Sequence, residues 1–420
     1  MFGKSSPEVL VVGAGPVGLF AALTLAKQGI RIAIVDREWR SGAHSYALAL
    51  HPQSLRLLKE LEVLEDVLHR ALPLRTIGIY DRATRRAELQ MAGADDAAWP
   101  VVVMRQDVLE HVLEQALERA GVKVLWNHAV SRLIPQQDCA VATIDTLVKE
   151  SVGYAVARTE WLVAKSKDLQ VRFVIGADGH QSLVRRALGS SFPDMGAAQH
   201  FAVFEFQSDA DLSDEMRLTF TDRTTNVVWP LPERRCRWSL QLVDDQAPTD
   251  SRTKHRIPVE IGGARYPRLD EDRLRALIAD RAPWFTGQIE QIHWRMMVRF
   301  EQRLASAFGH ESVWLAGDAG HLTGPAGMQS MNVGLREAKQ LSDILISVLR
   351  EQGSVEPLQD YNRQRVAEWR GLLGLDGGLV PQADTDPWIR QCSQQLLPCL
   401  PASGPDLAAL AAQLRLAVRP

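Results

Sequence analysis

The chain has little of what would place it in a specialised class. Its four cysteines include no C-x-x-C pair, which argues against both a zinc site and a disulfide scaffold. No stretch approaches the roughly 18 consecutive apolar residues of a membrane span. The net charge of −3 gives no electrostatic reason to expect nucleic acid or an anionic membrane as a partner. The sequence therefore favours an ordinary globular protein over a zinc-binding, disulfide-rich, membrane-spanning or nucleic-acid-binding one.

Length and composition bound the organisation of the chain. At 420 residues it exceeds one ordinary core, so two or three packed regions are expected. Hydrophobic residues make up 46% and charged residues 24%, which is typical of globular proteins. The N-terminal sequence MFGKSSPE leads directly into the first predicted strand without a signal-peptide pattern. We therefore expect a cytoplasmic protein, and its oligomeric state is not indicated.

Residues 9–36, VLVVGAGPVGLFAALTLAKQGIRIAIVD, carry the strongest pattern. Val9–Val12 is a short apolar run rich in β-branched residues, which predicts a buried strand. A helical pattern then extends to about Gln28, and Gly29 supplies a helix stop. Arg31–Val35 predicts a second buried strand. The order of strand, glycine-rich turn, helix and strand is typical of a βαβ unit.

Three glycines and one acid in this unit match a dinucleotide site. Gly13 permits a tight turn, Gly15 lets the backbone approach a diphosphate, and Gly18 allows the helix to pack close to the strand. The diphosphate would rest on the helix N-terminus, and Asp36 is placed to accept hydrogen bonds from a ribose. The alternative is a glycine-rich turn in a purely structural βαβ unit. The ordered combination favours the nucleotide site, but it does not choose between NAD and FAD.

Two later stretches repeat the pattern of a strand that ends in an acid. Asp178 follows the predicted strand Val171–Ile175, and Asp318 follows the predicted strand Val313–Ala316. Either acid could simply cap a turn or a helix. Beside a nucleotide fold, however, the carboxyl ends of strands are where ligands bind. His321 has no partner histidine at ligand spacing, so we interpret it as structural and expect no metal site.

Residues 197–300 change in character. Short segments such as HFAVFEF, EMRLTF, NVVWPLP and RCRWSLQLV are joined by polar turns, which predicts an antiparallel sheet. Trp229 and Trp238 lie in these segments. Aromatic residues in such a sheet usually belong to the core, although one or two can line a pocket. We predict that both tryptophans bind the substrate.

Three motifs now stand in order: GAGPVG with Asp36, GADG at residues 176–179, and GDAGHLTGPAGMQSMNVG at residues 317–334. Together they resemble the group A, single-component FAD-dependent monooxygenases, the family of p-hydroxybenzoate hydroxylase and the aromatic polyketide hydroxylases. The resemblance spans roughly residues 8–370. It implies an α/β fold with an FAD-binding Rossmann-like βαβ domain of the glutathione reductase type, an inserted antiparallel β-sheet substrate domain and a helical C-terminal segment.

The resemblance also implies domain boundaries. The FAD-binding domain is expected to be discontinuous and to comprise residues 1–74, 101–182 and 300–370. Residues 75–100 and 183–299 are expected to form the substrate-binding sheet domain. Residues 371–420 are expected to form the helical C-terminal segment.

The same resemblance implies residue roles. The first motif would hold the ADP half of FAD, Asp178 would lie near the pyrophosphate, and Asp318 would bind the ribityl chain. Arg105 and Gln106 match an R/Q-x-x-L segment that touches the cofactor in this family, and Pro325 would contact both cofactor and substrate. No residue is expected to be an indispensable catalytic acid or base. The full set of expected cofactor-binding residues is Gly13, Ala14, Gly15, Pro16, Val17, Gly18, Asp36, Arg37, Tyr46, Arg105, Gln106, Asp178, Gly317, Asp318, Pro325, Gly327, Met328, Met331 and Asn332.

The chain departs from the family pattern at two places. The family loop commonly reads P-x-G-G-Q-G-M-N, whereas residues 325–332 read PAGMQSMN, with Met328 and Ser330 in place of glycines. The backbone beside the isoalloxazine ring and the face toward the substrate are therefore expected to differ. Tyr46 occupies the position at which many relatives carry an arginine after the second strand, so movement of the flavin ring is not predicted.

The function follows from the cofactor that the resemblance implies. NADPH or NADH would reduce FAD, and the reduced flavin with O2 would give a C4a-hydroperoxide that hydroxylates an aromatic or polyketide-like small molecule, in secondary metabolism. Baeyer–Villiger insertion and epoxidation use the same chemistry and stay open. A flavin oxidase, a halogenase (whose GWxWxIP signature is absent from the sequence), an NAD-dependent dehydrogenase and a non-enzymatic binding protein of the same fold are the remaining alternatives. The presence of Asp36, Asp178 and Asp318 argues against the last.

Overall fold

The structure, a computed structural model, describes residues 6–40, 49–91, 100–152, 158–212, 214–243, 259–261, 264–266 and 269–419. Its strands, numbered in chain order, are β1 Val9–Val12, β2 Ile32–Val35, β3 Ala49–Leu50, β4 Leu72–Leu74, β5 Thr76–Asp81, β6 Thr84–Gln90, β7 Val101–Val103, β8 His128–Pro135, β9 Ala140–Val152, β10 Arg158–Val171, β11 Phe173–Gly176, β12 Gln199–Gln207, β13 Glu215–Phe220, β14 Thr225–Leu231, β15 Arg235–Leu242, β16 Val259–Ile261, β17 Ala264–Tyr266, β18 Ile292–Phe300, β19 Arg303–Leu304, β20 Gly309–His310, β21 Val313–Leu315, β22 His321–Leu322, β23 Leu379–Pro381 and β24 Leu416–Val418. The helices are α1 Pro16–Lys27, α2 Pro52–Glu60, α3 Leu64–Leu68, α4 Gln106–Arg119, α5 Leu183–Ala187, α6 Glu271–Arg281, α7 Gln329–Arg350, α8 Glu356–Leu372, α9 Pro387–Leu396 and α10 Gly404–Gln413.

A parallel sheet forms the centre of the molecule. Its strand order is β2-β1-β11-β21-β20, and β1, β2, β11 and β21 run parallel while β20 returns antiparallel to β21. Every residue of β1, β11 and β21 is buried, which explains why these strands read as continuous apolar runs in the sequence. Helix α1 connects β1 to β2, so the predicted βαβ unit is confirmed.

A second, seven-stranded sheet has the order β18-β12-β15-β14-β13-β5-β6. The neighbours from β18 to β13 pair antiparallel, as predicted for residues 197–300. Hairpin β5–β6 comes from much earlier in the chain and adds to the edge of this sheet, with β5 parallel to β13. The sheet is therefore mixed. The sequence did not predict this, because a local pattern indicates a strand but not the partner beside it.

Alternation of side chains gives this sheet two different faces. One face, which we call the inner face, carries Glu205, Arg237 and Trp229, and Trp229 belongs to the same hydrophobic cluster as the parallel sheet. The opposite, outer face carries Trp238 and packs against α6 in a second cluster that includes Leu274. The inner face thus looks toward the parallel sheet and its loops.

Three local predictions need correction. The leucine spacing of residues 52–69 predicts a single amphipathic helix, but the structure divides it into α2 and α3, because Glu62 adopts a left-handed backbone with φ 58° between them. The apolar run Val122–Trp126 predicts a strand, but among the described residues it forms none, and Leu125 makes only an isolated bridge to Val35. The sequence also predicts a long helix from Asn332 onward, and the structure begins this helix, α7, three residues earlier at Gln329.

The C-terminal segment packs on the main body of the protein. It contains α9 and α10, as predicted, together with the short antiparallel pair β23–β24. Leu396, Leu397 and Leu400 are buried in the cluster that contains the parallel sheet, and the ring of Trp388 meets that of Phe220 edge-on at 6.2 Å. Within the described ranges, every helix is too short or too polar to cross a lipid bilayer.

Candidate functional site

The three sequence motifs meet at one edge of the parallel sheet. Gly13, just beyond β1, has φ +102°, and a Cβ built there would lie 2.2 Å from the carbonyl oxygen of Ala177, just beyond β11. A Cβ on Gly317, just beyond β21, would lie 3.0 Å from the side chain of Val17. Because parallel strands end at the same edge, the loops that follow them are brought together. Segments 300 residues apart in sequence therefore form one site.

The N-terminus of α1 is open toward this edge. Gly15 is its N-cap, with φ −72° and ψ −178°, and Pro16 occupies the first helical turn. Among the described residues, no side chain caps this helix. A Cβ added to Gly15 would meet nothing within 4 Å. The first backbone N–H groups of α1 have no partner within the helix, and the space beside Gly15 is free of protein atoms, as an anion site requires.

Asp36, at the end of β2, is bound to the glycine loop. Its Oδ2 accepts the N–H of Ala14 at 2.6 Å, and its Oδ1 accepts the N–H of Glu38 at 2.8 Å. Each carboxylate oxygen can accept a further hydrogen bond, so contact with a ribose stays a prediction. Arg37 is mostly exposed, and its Nε lies 3.6 Å from the carboxylate of Glu38.

Asp178 both caps α5 and presents an unpaired oxygen. Its Oδ2 accepts the N–H groups of Leu183 and Val184 at 2.7 and 3.1 Å, so the capping interpretation is correct as far as it goes. Its Oδ1 is buried and has no hydrogen-bond partner among the described residues. Burial raises the pKa of Asp178 against the opposing hydrogen bonds of Ser182 and the backbone. A buried acceptor without a donor is costly, and a bound ligand that donates to it would remove the cost.

Asp318 stands on a short 3-10 turn, Gly317–Ala319, directly after β21. Its carboxylate is exposed, unlike those of most acids near the parallel sheet. The hydroxyl of Ser330, in the first turn of α7, donates to its Oδ1 at 2.5 Å. The third motif therefore offers a charged oxygen to whatever binds at the edge of the sheet.

A buried network lies beneath Asp318. Glu337 of α7 accepts the N–H of Gly317 at 2.8 Å and the indole N–H of Trp369 at 2.7 Å, and it lies 3.0 Å from Nε2 of His321. The imidazole of His321 stacks on the ring of Trp369 at 3.7 Å between centroids. Burial alone would raise the pKa of Glu337, but the charge and hydrogen bond of His321, with Arg365 and Trp369, outweigh it and lower that pKa. The predicted structural role of His321 agrees with these contacts.

The loop at residues 325–332 is held by hydrogen bonds on its side toward β3 and α2. Met328 has φ +51°, the left-handed conformation that explains why related loops use glycine here. Asn332 uses its whole amide, since Oδ1 accepts from the His51 N–H and the Ser54 hydroxyl while Nδ2 donates to the carbonyls of Ala49 and Met328. Its side chain thus fixes the loop, and only its backbone remains to meet a cofactor. Pro325 and Met331 are half-buried in the same loop.

The C-terminal segment holds the other side of this loop. The N–H of Gly327 donates to the carbonyl of Pro398 at 2.9 Å, and a Cβ on Gly327 would lie 2.6 Å from the carbonyl oxygen of Leu400. The buried amide of Gln329 donates toward three backbone carbonyls, those of Leu397, Leu400 and Ala402. These contacts could not be inferred from the sequence, because no motif marks residues 397–402.

Arg105 and Gln106 are engaged with protein groups. Arg105 makes a two-point contact with Asp107 at 3.1 and 3.0 Å, and its Nη1 lies 3.6 Å from Oε1 of Glu205 on the inner face. Gln106 donates to Glu110 at 2.8 Å. Their contact with the cofactor stays a prediction, and Tyr46 lies outside the described residues.

The structure separates the two tryptophans that were predicted to bind substrate. In the sheet register, Trp229 pairs with Arg237, whereas Trp238 pairs with Val228, so the two rings lie on opposite faces. Trp238 packs on the outer face, with its ring 5.5 Å from that of Phe285. The assignment of Trp238 is therefore corrected to an outer-face core residue, and Trp229 alone of the pair remains a candidate.

The prediction from sequence missed a buried ion pair on the inner face. Arg237 donates to Oε2 of Glu205 at 3.1 and 2.6 Å, both side chains are buried, and the guanidinium lies 5.1 Å from the ring centroid of Trp294. The signal was present for Glu205, which interrupts the apolar run Phe201–Phe206, but not for Arg237, whose strand also carries Arg235, Ser239 and Gln241. A buried charge in such a position usually has a partner or a function.

We predict a pH dependence of stability from His51, whose ring Nε2 lies 3.0 Å from the carbonyl oxygen of Gly327. Burial lowers its pKa from 6.5 to about 3, although that carbonyl acts in the opposite direction. Between these values the unfolded chain binds a proton that the folded chain rejects, so stability falls as pH falls, by up to about 1.4 kcal/mol per pH unit. In urea unfolding measured from pH 7 to 4, His51→Gln should lose this slope. His69→Gln, at an exposed site, should retain the pH dependence. If the unchanged protein and both variants lose stability equally as pH falls, His51 is not its source.

The comparisons with known proteins agree with this geometry. The sequence model of a family described as FAD binding domain matches residues 6–373. The chain is 27% identical over 373 residues to a 6-methylpretetramide 4-monooxygenase of Streptomyces rimosus, covering 87% of this chain and 60% of the relative. It is 26% identical over 367 residues to a para-nitrophenol 4-monooxygenase of Pseudomonas sp. (strain WBC-3), covering 85% and 82%. The chain thus spans about three fifths of the first relative and four fifths of the second.

Solved structures share the fold. The p-nitrophenol 4-monooxygenase PnpA from Pseudomonas putida DLL-E4 superposes with a TM-score of 0.70 at 20% identity, over 98% of this chain and 94% of that one. An aklavinone-11 hydroxylase solved with FAD and aklavinone gives 0.65 at 22% identity, over 89% and 69%. The predicted fold class and the predicted resemblance are confirmed. The chain belongs to the FAD binding domain family.

Proposed function

We propose that the chain is an FAD-dependent monooxygenase that uses NADPH or NADH and O2 to hydroxylate an aromatic or polyketide-like small molecule. The observation that carries the proposal is the meeting of the three loops at one edge of the parallel sheet, around an open helix N-terminus. The relatives named above are monooxygenases and hydroxylases of phenols and polyketides, which supports the choice of reaction.

The residues at this edge fit FAD. Gly15 leaves open space in front of the N-terminus of α1, where a diphosphate would be stabilised by N–H groups and the helix dipole. Asp178 has a buried oxygen without a donor, and Asp318 has an exposed carboxylate. When bound, FAD supplies the redox chemistry that lets a nicotinamide and O2 oxidise an organic molecule. We infer that Asp36 accepts from the adenosine ribose and Asp318 from the ribityl hydroxyls.

We propose that the inner face and the loop at 325–332 enclose the substrate. Trp229 lies on the inner face with a fully buried side chain, so an aromatic ring can stack on it only where the side chains that cover it give way. Glu205 has a buried Oε1 that forms a 3.6 Å ion pair with Arg105 but accepts no hydrogen bond among the described residues, so it favours a substrate with a hydroxyl or N–H donor. Pro325 lies in the facing loop, and Gly324 in that loop is near Gln199 at the start of β12. A substrate space that excludes water would limit the consumption of NADPH or NADH and O2 without hydroxylation of the substrate.

We also propose a division of the chain into domains, which the contacts of the second sheet support. We propose that residues 1–74, 101–182 and 300–370 bind FAD, that residues 75–100 and 183–299 cover the substrate, and that residues 371–420 brace the loop at 325–332. The pairing of β5 with β13 supports the assignment of residues 75–100 to the sheet. We also propose a cytoplasmic location, which suits four cysteines that are all free thiols.

The activity has a direct test. Purified protein should be yellow, and denaturation should release FAD that can be identified by mass. Aromatic metabolites with a phenolic hydroxyl should stimulate NADPH or NADH oxidation, and the product should gain one oxygen atom from O2 on the ring. Hydrogen peroxide alone as the product would indicate an oxidase instead, and oxygen inserted into a ring C–C bond would indicate Baeyer–Villiger chemistry.

We predict that Asp318→Ala loses most of its FAD, because the ribityl hydroxyls lose a charged acceptor worth roughly 1.5–3 kcal/mol. Flavin content per chain, measured from the absorbance of the purified protein, reports this directly. Asp343→Ala is the matched control, since Asp343 lies on the exposed side of the same α7 and pairs with Lys339 at 2.6 Å. Equal flavin content in both variants would remove Asp318 from the site.

We predict that Gly15→Val abolishes FAD binding while the apoprotein keeps its stability. The backbone of Gly15 is in an extended conformation open to any residue, and the added side chain enters space that is free of protein atoms. Only a ligand in that space would meet it. Thermal unfolding of the apoprotein and FAD titration together separate the two effects. A variant that binds FAD normally would show that no diphosphate approaches Gly15.

A further inference from the structure

The carboxylate of Asp318 depends on one neighbour for its orientation. It is exposed at the edge of the parallel sheet, so its rotamers are free unless something holds them. Among the described residues, the side-chain group that donates to it is the hydroxyl of Ser330, at 2.5 Å from Oδ1. Holding a side chain in its bound conformation before the ligand arrives removes part of the entropy cost of binding.

Ser330 is itself anchored to the buried network. Its Oγ lies 3.2 Å from Nδ1 of His321, whose Nε2 lies 3.0 Å from Glu337. His321 and Glu337 are fully buried, and the ring of Trp369 stacks on the imidazole. A hydroxyl has one proton and two lone pairs. Because Ser330 donates its proton to Asp318, it can only accept from His321, and this contact requires a proton on Nδ1 of the imidazole. The contacts form a continuous line from α8 to the exposed carboxylate.

We propose that Ser330 is a positioning residue, which ties Asp318 to the His321–Glu337 pair and so prepares the carboxylate for the ribityl hydroxyls of FAD. This inference rests on the proposed FAD site. A glycine at residue 330, as in the related loop pattern, has no hydroxyl and leaves Asp318 free to turn. The chain thus gains at this position a hydrogen bond that its loop would otherwise lack.

The first test is a titration of the apoprotein with FAD, in which the quenching of flavin fluorescence reports binding. Ser330→Ala should raise the Kd for FAD about fivefold, as expected when binding must also order one side chain that was free to turn. Ser330→Thr retains a hydroxyl and should restore the Kd to within about twofold of the original. Ser342→Ala is the control, because Ser342 is buried in the same helix and its hydroxyl has no partner among the described residues. Its Kd should not change.

A double-mutant cycle then asks whether Ser330 acts through Asp318. In an Asp318→Ala background, Ser330→Ala should add no further loss of affinity. An undiminished fivefold loss in that background, or equal losses in the alanine and threonine variants, would overturn the positioning role. An unchanged Kd for Ser330→Ala with a raised Kd for Asp318→Ala would overturn it too, while leaving the FAD site in place.

Failure of the underlying site is distinguishable. If Asp318→Ala itself binds FAD normally, Asp318 is not part of the site and both proposals fall. Unfolding temperatures of the apoproteins test whether a weaker affinity for FAD results only from a destabilised fold. The proposed role concerns the ligand, so Ser330→Ala and Ser330→Thr should be equally stable. A large loss of stability in Ser330→Ala alone would assign the hydroxyl to folding and overturn the proposal.

Discussion

The carbonyl oxygen of Ala177 lies where a side chain on Gly13 would have to be. A Cβ on Gly18 would likewise lie 2.0 Å from the carbonyl oxygen of Gly13. Three backbone segments, the ends of β1 and β11 and the start of α1, are therefore stacked without side chains between them. This close approach aims the N-terminus of α1 out of the sheet edge and lets Val17 touch Gly317. The rest of the site is arranged around it, because each further loop packs on the one before.

The sequence was sufficient where the structural cause is local. The periods of apolar residues and the glycine spacing identified the βαβ unit, and each strand followed by an acid indicated the sheet edge. It was insufficient where the cause lies far away in the chain. Nothing near β5 indicates that it pairs with β13. The separation of Trp229 from Trp238 depends on sheet register, which alternation within one strand does not reveal.

The buried charges have a comparable logic. A carboxylate as enclosed as Glu337 would be strongly destabilising if it were alone. The backbone N–H of Gly317, the indole of Trp369 and the imidazole of His321 all converge on it instead. The satisfied network joins α7, α8 and the loop after β21 into a rigid base. Its upper end is polar and exposed, so a firm interior supports a carboxylate that is free to meet a ligand.

The last feature with wider consequences is the contact between the loop at 325–332 and the C-terminal segment. The N–H of Gly327 and the amide nitrogen of Gln329 donate to carbonyls of residues 397–402. Order in the loop and order in the segment that carries α9 and α10 are thus thermodynamically linked. By reciprocity, a ligand that orders the loop strengthens the docking of the C-terminal helices by the same free energy with which their docking favours the ligand. Residues of the C-terminal segment can therefore raise the affinity for a ligand that they do not contact.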